Sequence, residues 1–454
     1  MSVQSVEVLV VGGGQAGVAM SAHLSERGIS HVVIERDRIA EAWRTGRWDS
    51  LVANGPAWHD RFPGQEHTVA GDLFPTKDQI AEYFERFAER INAPIRIGVT
   101  VTAVRKHIGR AGFHVETTGG VYDARFVVAA TGPFQIPAIP QVVPEDAGVH
   151  QLHSRDYRNP EALPAGGVLV VGAGASGSQI ADELARAGRD VWLAVGPHSR
   201  PPRSYRGRDF TWWLGVLGLW EQTTPPGGGD HVTIAVSGAN GGETVDFRTL
   251  ASRGVRLVGR AEAYSDGTMH FAPDLLNNIE RGDADYLGML EDCDRYVERN
   301  GLDLPEEPDA FVLDPYPPDA LDPVQELELL EAGVTVILWA TGYRTDYSWL
   351  QVDALDAEGR PQHERGISTE PGVYFLGLPW LSRRGSSFIW GVWNDARFIS
   401  EQIEIQRNYF AYEPCGRLDG DERIERPSDD LTASTTNSDD GSVSYRAVGE
   451  GALR

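Results

Sequence analysis

VLVVGGGQAG at residues 8–17 and VLVVGAGASG at residues 168–177 are nearly the same ten residues written twice, 160 positions apart. In each copy a short apolar run, the mark of a strand buried on both faces, meets Gly-x-Gly-x-x-Gly and then a helical pattern. Glycine triplets arise by chance in a chain with 51 glycines, so the strand before and the helix after carry the reading. Gly12 and Gly172 permit the tight turn. Gly14 and Gly174 let a pyrophosphate approach the backbone, and Gly17 and Gly177 let helix pack on strand. The first helical turn, with Gln15 and Ala16 in one copy and Ser176 in the other, offers N–H groups and the positive end of the helix dipole to phosphates. The expected class is α/β, with two Rossmann-like dinucleotide-binding domains.

The position eighteen residues past the third glycine separates the two ligands. In the first copy it is Glu35, followed by Arg36, where a carboxylate accepts hydrogen bonds from an adenosine ribose. In the second it is Val195, and the chain runs on through GPHSRPPRSYRGRD, which holds Ser199, Arg200, Arg203 and Arg206. A 2′-phosphate is repelled by a carboxylate and held by a guanidinium fork. The first cradle therefore reads as the site of a dinucleotide with a free adenosine ribose and the second as an NADPH site. The alternative for the arginines is pairing with acids in an acidic protein.

Composition bounds the rest. The chain has 454 residues, enough for two or three domains, and 41% of them are apolar, as in a soluble globular protein. Its net charge of -25 argues against nucleic acid and anionic membranes as partners. Cys293 and Cys415 form no C-x-x-C pair, which leaves a redox dithiol and a zinc ribbon without support; no metal site is read. The N-terminus has no basic region before its apolar stretch, and no run nears eighteen apolar residues, so a cytoplasmic protein without a membrane span is expected.

Further along, Pro75-Thr76 opens an expected helix at Lys77–Arg90, with Ile80, Tyr83, Phe84 and Phe87 along one face. Strands are expected near 96–107, 112–117, 126–130, 231–236, 334–342 and 372–380, helices around 273–299, and a last helix from Trp393 to Tyr409. The six prolines of 133–165 suggest a crossover linker. The expected organisation is a first part of the FAD domain at 1–160, an NADPH domain at 161–325, a second part of the FAD domain at 326–412, and a disordered acidic tail at 413–454. The aromatic stretch 210–220 fits a packed helix hairpin, a nicotinamide lid, a dimer contact or a membrane-facing knob.

Two glycine cradles, together with ATG at 130–132 and again at 340–342, resemble the two-dinucleotide-binding-domain flavoproteins. Within them residues 5–412 are similar to the class B flavin-dependent monooxygenases: flavin-containing monooxygenases, N-hydroxylases and Baeyer–Villiger enzymes. AEAWRTGRWDSLVANGP at 40–56 resembles the segment beside the flavin, although Glu41-Ala42 stands where the family has Gly-Gly. HSRDY at 153–157 is similar to the second half of the family fingerprint, whose first half is missing. GLPWLSRRGSSFIWGVWNDA at 377–396 resembles the last flavin-contacting segment, with Leu378 in place of the usual Asp.

The resemblance implies FAD and NADPH as cofactors, with cofactor contacts at Trp43, Arg44, Thr131, Gly132, Thr341, Gly342 and Gly377. It implies a monooxygenase that forms a C4a-(hydro)peroxyflavin and transfers one oxygen atom of O2 to a small molecule, by N-, S- or Baeyer–Villiger-type oxygenation. Asn54 is the expected stabilising donor beside the flavin, although Asn54-Gly55 is also a strong turn former. His153 and Tyr157 are expected to be structural or cofactor-proximal, and Trp380, Trp390 and Trp393 to line either the substrate cavity or the core. Two other functions stay open: an NADPH oxidase or reductase that passes electrons elsewhere, and a non-catalytic nicotinamide redox sensor. A homo-oligomer is compatible with the sequence.

Overall fold

Both glycine motifs emerge from the centre of a parallel sheet. In the computed structural model, which describes residues 3–225 and 234–412, strand Val3–Val11 pairs in parallel with His31–Ile34 on one side and Gly120–Ala129 on the other. Ile95–Arg96 extends the sheet beyond His31–Ile34, and Val373–Phe375 pairs in parallel with the end of Gly120–Ala129. Two antiparallel strands, Phe113–Thr117 and Val101–Lys106, add to the sheet through the first half of Gly120–Ala129. Val8, Leu9 and Val10 are fully buried, as are Val127 and Val128 beside them, which is why these strands read as unbroken apolar runs.

The second sheet repeats the plan. Strand Gly167–Val171 lies between Val191–Ala194 and Val334–Trp339, flanked in turn by Arg256–Val258 and His150–His153, all parallel. In each sheet the strand order reverses beside the glycine motif, the crevice where dinucleotides bind in open α/β sheets. His150–His153 and Val334–Trp339 join this sheet from either side of the 161–325 segment. The strand at 150–153 lies inside the expected linker, because HQLH has no apolar run and is recruited by backbone pairing to Val336–Trp339.

Helix Lys77–Arg90 has the expected bounds. Thr76 accepts from the Gln79 N–H while Gln79 reaches back, a capping box, and Ile80, Tyr83, Phe84 and Phe87 are buried. The last helix, Ile389–Phe410, begins four residues before the expected Trp393, and 273–299 forms one helix, Leu275–Asn300. Tyr409 closes the unit that carries both sheets. The expected tail at 413–454 and residues 231–233 of the expected strand lie outside the described residues; Ile234 forms a parallel bridge to Ser199. Among the described residues no helix is long and apolar enough to cross a membrane.

Candidate active site between two nucleotide cradles

The two turns are superposable in their sterics. Gly12 has φ +110° and Gly172 φ +106°, and a Cβ on either would stand 2.6 Å from a backbone oxygen, that of Ala130 or of Ala340. Those alanines open the two ATG triplets, so each triplet is the partner its glycine packs against. A Cβ on Gly17 would lie 1.8 Å from the Gly12 oxygen, and one on Gly177 would lie 1.7 Å from the Gly172 oxygen. Gly14 and Gly174 cap helices Gln15–Glu26 and Ala175–Arg186 without any side-chain hydrogen bond, and a Cβ on Gly14 would meet nothing within 4 Å. Helix N-termini without a side-chain cap, and open space at Gly14, fit a dinucleotide pyrophosphate.

Around the first cradle, the Glu35 carboxylate accepts from the N–H of Gly13 at 2.6 Å and of Asp37 at 2.9 Å, which holds it at the strand end. Gly377 has φ +81°, and its Cβ would stand 2.9 Å from that of Ala16, so the last segment closes against the first helical turn. Gln15 donates to the Ser387 carbonyl at 2.8 Å. Trp43 is half-buried between the two hydrophobic cores. Thr131 accepts from Gln135 at 2.9 Å, while Gly132 and Gly342 both take positive φ. Arg36 pairs with Asp37 at the surface, and Arg44 is tied to Glu85 at 2.6 Å. Thr341 donates to the Ala138 carbonyl, and Ser176 lies half-buried in the first turn of its helix.

The arginines beyond the second cradle are placed differently from the sequence expectation. Arg200 is 2% exposed and pairs with Asp283 at 2.7 Å and Asp246 at 3.2 Å. Arg248 binds the same Asp283 through both terminal nitrogens, at 3.0 and 2.6 Å. Arg203, 3% exposed, pairs with Asp209, lies between the rings of Phe74 and Phe210, and donates to the Asn54 carbonyl at 2.6 Å. Neither presents a free fork to a 2′-phosphate. A guanidinium taken out of water requires a carboxylate, and the fold supplies one to each. Ser199 is engaged by its backbone, its carbonyl accepting from Ala235. An exposed arginine near the end of strand Val191–Ala194 is Arg260, whose Cγ is 4.0 Å from where a Gly196 Cβ would stand and whose guanidinium pairs at the surface with Glu262 at 3.0 Å.

Asn54 sits where the halves meet. Its side-chain oxygen accepts from Gln179 at 2.9 Å, and Gln179 lies two residues past Gly177. Next along the chain, His59 stacks on Trp220 at 5.5 Å, meets Trp390 edge-on at 5.3 Å, and pairs through Nδ1 with Asp60 at 2.7 Å. Trp393 packs instead against His23, Phe62 and Phe87 in the first core. The 210–220 stretch is a packed hairpin: helix Phe210–Val216 and a turn at Leu219–Glu221, with Trp213 and Trp220 buried.

His153 is fully buried, donates to the Gly342 carbonyl at 2.9 Å and accepts from the Arg155 N–H at 3.1 Å; burial pushes its pKa down, so it is a neutral strut. Tyr157 donates to Glu183 at 2.9 Å, and Ser50 donates to the same carboxylate at 2.6 Å. Burial raises the pKa of both Tyr157 and Glu183. Sequence reasoning missed Gln179, Glu183 and Asp283. The signal for Gln179 was a polar residue on the inward face of a helix otherwise lined there by Ile180 and Leu184.

Comparison with known proteins agrees with this architecture. Residues 9–207 match the family described as pyridine nucleotide-disulphide oxidoreductase. The chain is 33% identical over 403 residues to a Geobacillus kaustophilus protein named uncharacterized oxidoreductase CzcO-like, covering 88% of this chain and 98% of that one. It is 32% identical over 419 residues to the indole-3-pyruvate monooxygenase YUCCA1 of Oryza sativa subsp. japonica, covering 88% and 91%. A flavin-containing monooxygenase from Stenotrophomonas maltophilia has the same fold, with a TM-score of 0.61 at 20% identity, over 89% of this chain and 99% of that one. With both cradles, both ATG partners and this likeness over nearly nine-tenths of its length, the chain belongs to the class B flavin-dependent monooxygenases, oxidoreductases that use a flavin and a pyridine nucleotide.

Proposed function

We propose that FAD occupies the first cradle and NADPH the second, and that the enzyme transfers one atom of O2 to a small organic substrate bound beside Asn54. The observation that carries this reading is Asn54 itself. Its loop belongs to the first half of the chain, yet its carboxamide is held by Gln179, on the helix that opens the second cradle. When bound, FAD takes hydride from the nicotinamide and makes O2 reactive. The chain's own share is positioning, hydrogen bonding and exclusion of water. The Asn54 amide nitrogen has no partner among the described residues and donates to the reacting oxygen. A few residues further along the chain, Trp58, His59, Trp220 and Trp390 form an aromatic cluster in which His59 is paired with Asp60.

NADPH is favoured over NADH by Val195, a fully buried apolar residue where a ribose carboxylate would otherwise repel the phosphate, and by Arg260 at the neighbouring strand end. One relative is named for indole-3-pyruvate, so 2-oxo acids join amines, thioethers and ketones as first probes. The test is to reduce the flavoprotein with NADPH without oxygen and mix it with O2 in a stopped-flow instrument. A transient near-ultraviolet absorbance and an oxygenated product from one of the probes are expected. Direct return of oxidised flavin with stoichiometric hydrogen peroxide, across every probe, refutes the oxygenase and leaves an oxidase or reductase.

A further inference from the structure

We propose that Gln179 is a positioning residue that fixes which end of the Asn54 carboxamide faces the flavin cleft. The inference rests on the oxygenase reading above and goes beyond it, because it assigns the orientation of the donor to a residue of the other half of the chain.

The orientation follows from a chain of hydrogen bonds with one unambiguous end. The Val236 carbonyl only accepts, and the Gln179 side-chain nitrogen lies 2.7 Å from it, so Gln179 must present its nitrogen there and not its oxygen. The same nitrogen has a second hydrogen, directed at Asn54 over 2.9 Å. Asn54 therefore turns its oxygen to Gln179, and among the described residues its NH2 has no partner. Gln179 is 8% exposed and Val236 is 6% exposed, so water does not compete easily for these bonds.

The backbone around Asn54 is held from the same side. Arg203 donates to the Asn54 carbonyl at 2.6 Å and to that of Ser237 at 3.3 Å. A Cβ on Gly238 would stand 2.2 Å from the Ala53 oxygen, so this segment lies directly against the loop. The arginine expected on a phosphate is thus part of the clamp that holds the catalytic asparagine. Gln179 supplies the one contact in the clamp that has a direction: reverse it, and an acceptor replaces the donor at the reacting oxygen.

The test compares Q179L, Q179E, N54A and N54A/Q179E as FAD-loaded, NADPH-reduced protein mixed with O2. Loss of one preorganised donor in a dry site costs about 100-fold or more, so N54A sets the scale for loss of the transient absorbance. Q179L, which frees the amide to rotate, should shorten the transient's lifetime about tenfold. Q179E should approach N54A, because its carboxylate accepts from the Asn54 nitrogen and draws the donor away. In the double variant the lifetime should equal that of N54A, as expected when one residue acts through the other. Unchanged lifetimes in Q179L and Q179E, or additive losses in the double variant, overturn the assignment. A neutron structure of Q179E, which tells amide nitrogen from oxygen directly, decides it independently of oxygen chemistry: an Asn54 amide turned with its nitrogen towards Glu supports it, and one left as in the parent sinks it. Failure of the oxygenase reading is separate, and shows as a parent enzyme with no transient at all.

Discussion

Replacing Arg200 with Met separates a structural from a ligand-binding role for the first arginine in the chain after the second cradle's strand Val191–Ala194. Arg200 and Arg248 form a compact cluster with Asp246 and Asp283, two positive charges against two negative. Three of its four side chains are almost wholly withdrawn from water, and the rings of Tyr286 and Tyr316 cover the guanidinium groups. R200M leaves one surplus negative charge. Removing one partner of a buried pair typically costs about 3–5 kcal/mol. Asp283 keeps both contacts to Arg248 and Asp246 retains some solvent, which argues for the low end, about 3 kcal/mol. At roughly 1 °C per kcal/mol for a folded unit of this size, the melting temperature should fall by about 3 °C.

The phosphate-binding alternative predicts another pattern. A lost charge-assisted hydrogen bond is worth about 1.5–3 kcal/mol, or roughly 10- to 150-fold in affinity. That loss would fall on 2′,5′-ADP and spare 5′-ADP. The assay is thermal unfolding by circular dichroism together with calorimetric titration of both nucleotides. The expected result is a lower melting temperature with the ratio of the two affinities within about twofold of the parent's. A variant as stable as its parent, with a selective loss of tenfold or more for 2′,5′-ADP, would refute the reasoning.

Other outcomes follow from the same geometry. R260A should weaken 2′,5′-ADP about tenfold or more while sparing 5′-ADP, since one exposed guanidinium is lost at that strand end; equal effects on both remove Arg260 from coenzyme selection. G17A should be purified without flavin, whereas G177A should keep its flavin yet fail to be reduced by NADPH, because their Cβ atoms would stand 1.8 and 1.7 Å from backbone oxygens in separate cradles; the flavin absorbance of each purified protein is the readout. Glu183 has its folded pKa raised, chiefly by burial, so the folded state holds this proton more tightly than the unfolded chain. Its contribution is therefore lost as pH rises from the ordinary carboxylate pKa, near 4.3, through the raised folded one. E183Q should flatten that fall in a urea titration series, and an unaltered slope would assign it to other groups.

The glycine motifs were legible because their constraint is local. A residue with φ near +110° must be glycine whatever surrounds it, and the spacing of three glycines over six residues reports one turn of backbone. The helix at Lys77–Arg90 was legible for the same reason: Thr76, Gln79 and the apolar stripe all act within four residues of one another. For Arg200 the sequence left a phosphate and a carboxylate open as partners, because it displays a charge and not what the charge meets. Asp246 and Asp283 lie 46 and 83 residues further on, and only folding brings them to Arg200. Strand His150–His153 was hidden for a related reason: its place is set by pairing with Val334–Trp339, nearly two hundred residues away, and only Leu152 among its own residues is apolar.

The repetition extends further than the ten residues that show it. Gly12 fits against the Ala130 carbonyl and Gly172 against the Ala340 carbonyl with the same 2.6 Å limit, so each turn needs glycine to pass the backbone at the end of a strand from a distant part of the chain. A cradle is therefore a pair of segments, glycine turn and ATG, which depend on each other for their shape. What distinguishes the two copies is the polar residue placed beyond the third glycine. In the first helix the position equivalent to Gln179 is Ala19, which is fully buried in the core and makes no polar contact. In the second helix, Gln179 reaches out of its own fold to the loop of the other. Substituting a glutamine at Ala19 would place an amide in an apolar core with no carbonyl such as that of Val236 to receive it, at a cost of about 1–3 kcal/mol. At this inward position the two copies have thus diverged, one residue serving its own core and the other reaching the loop of the other fold.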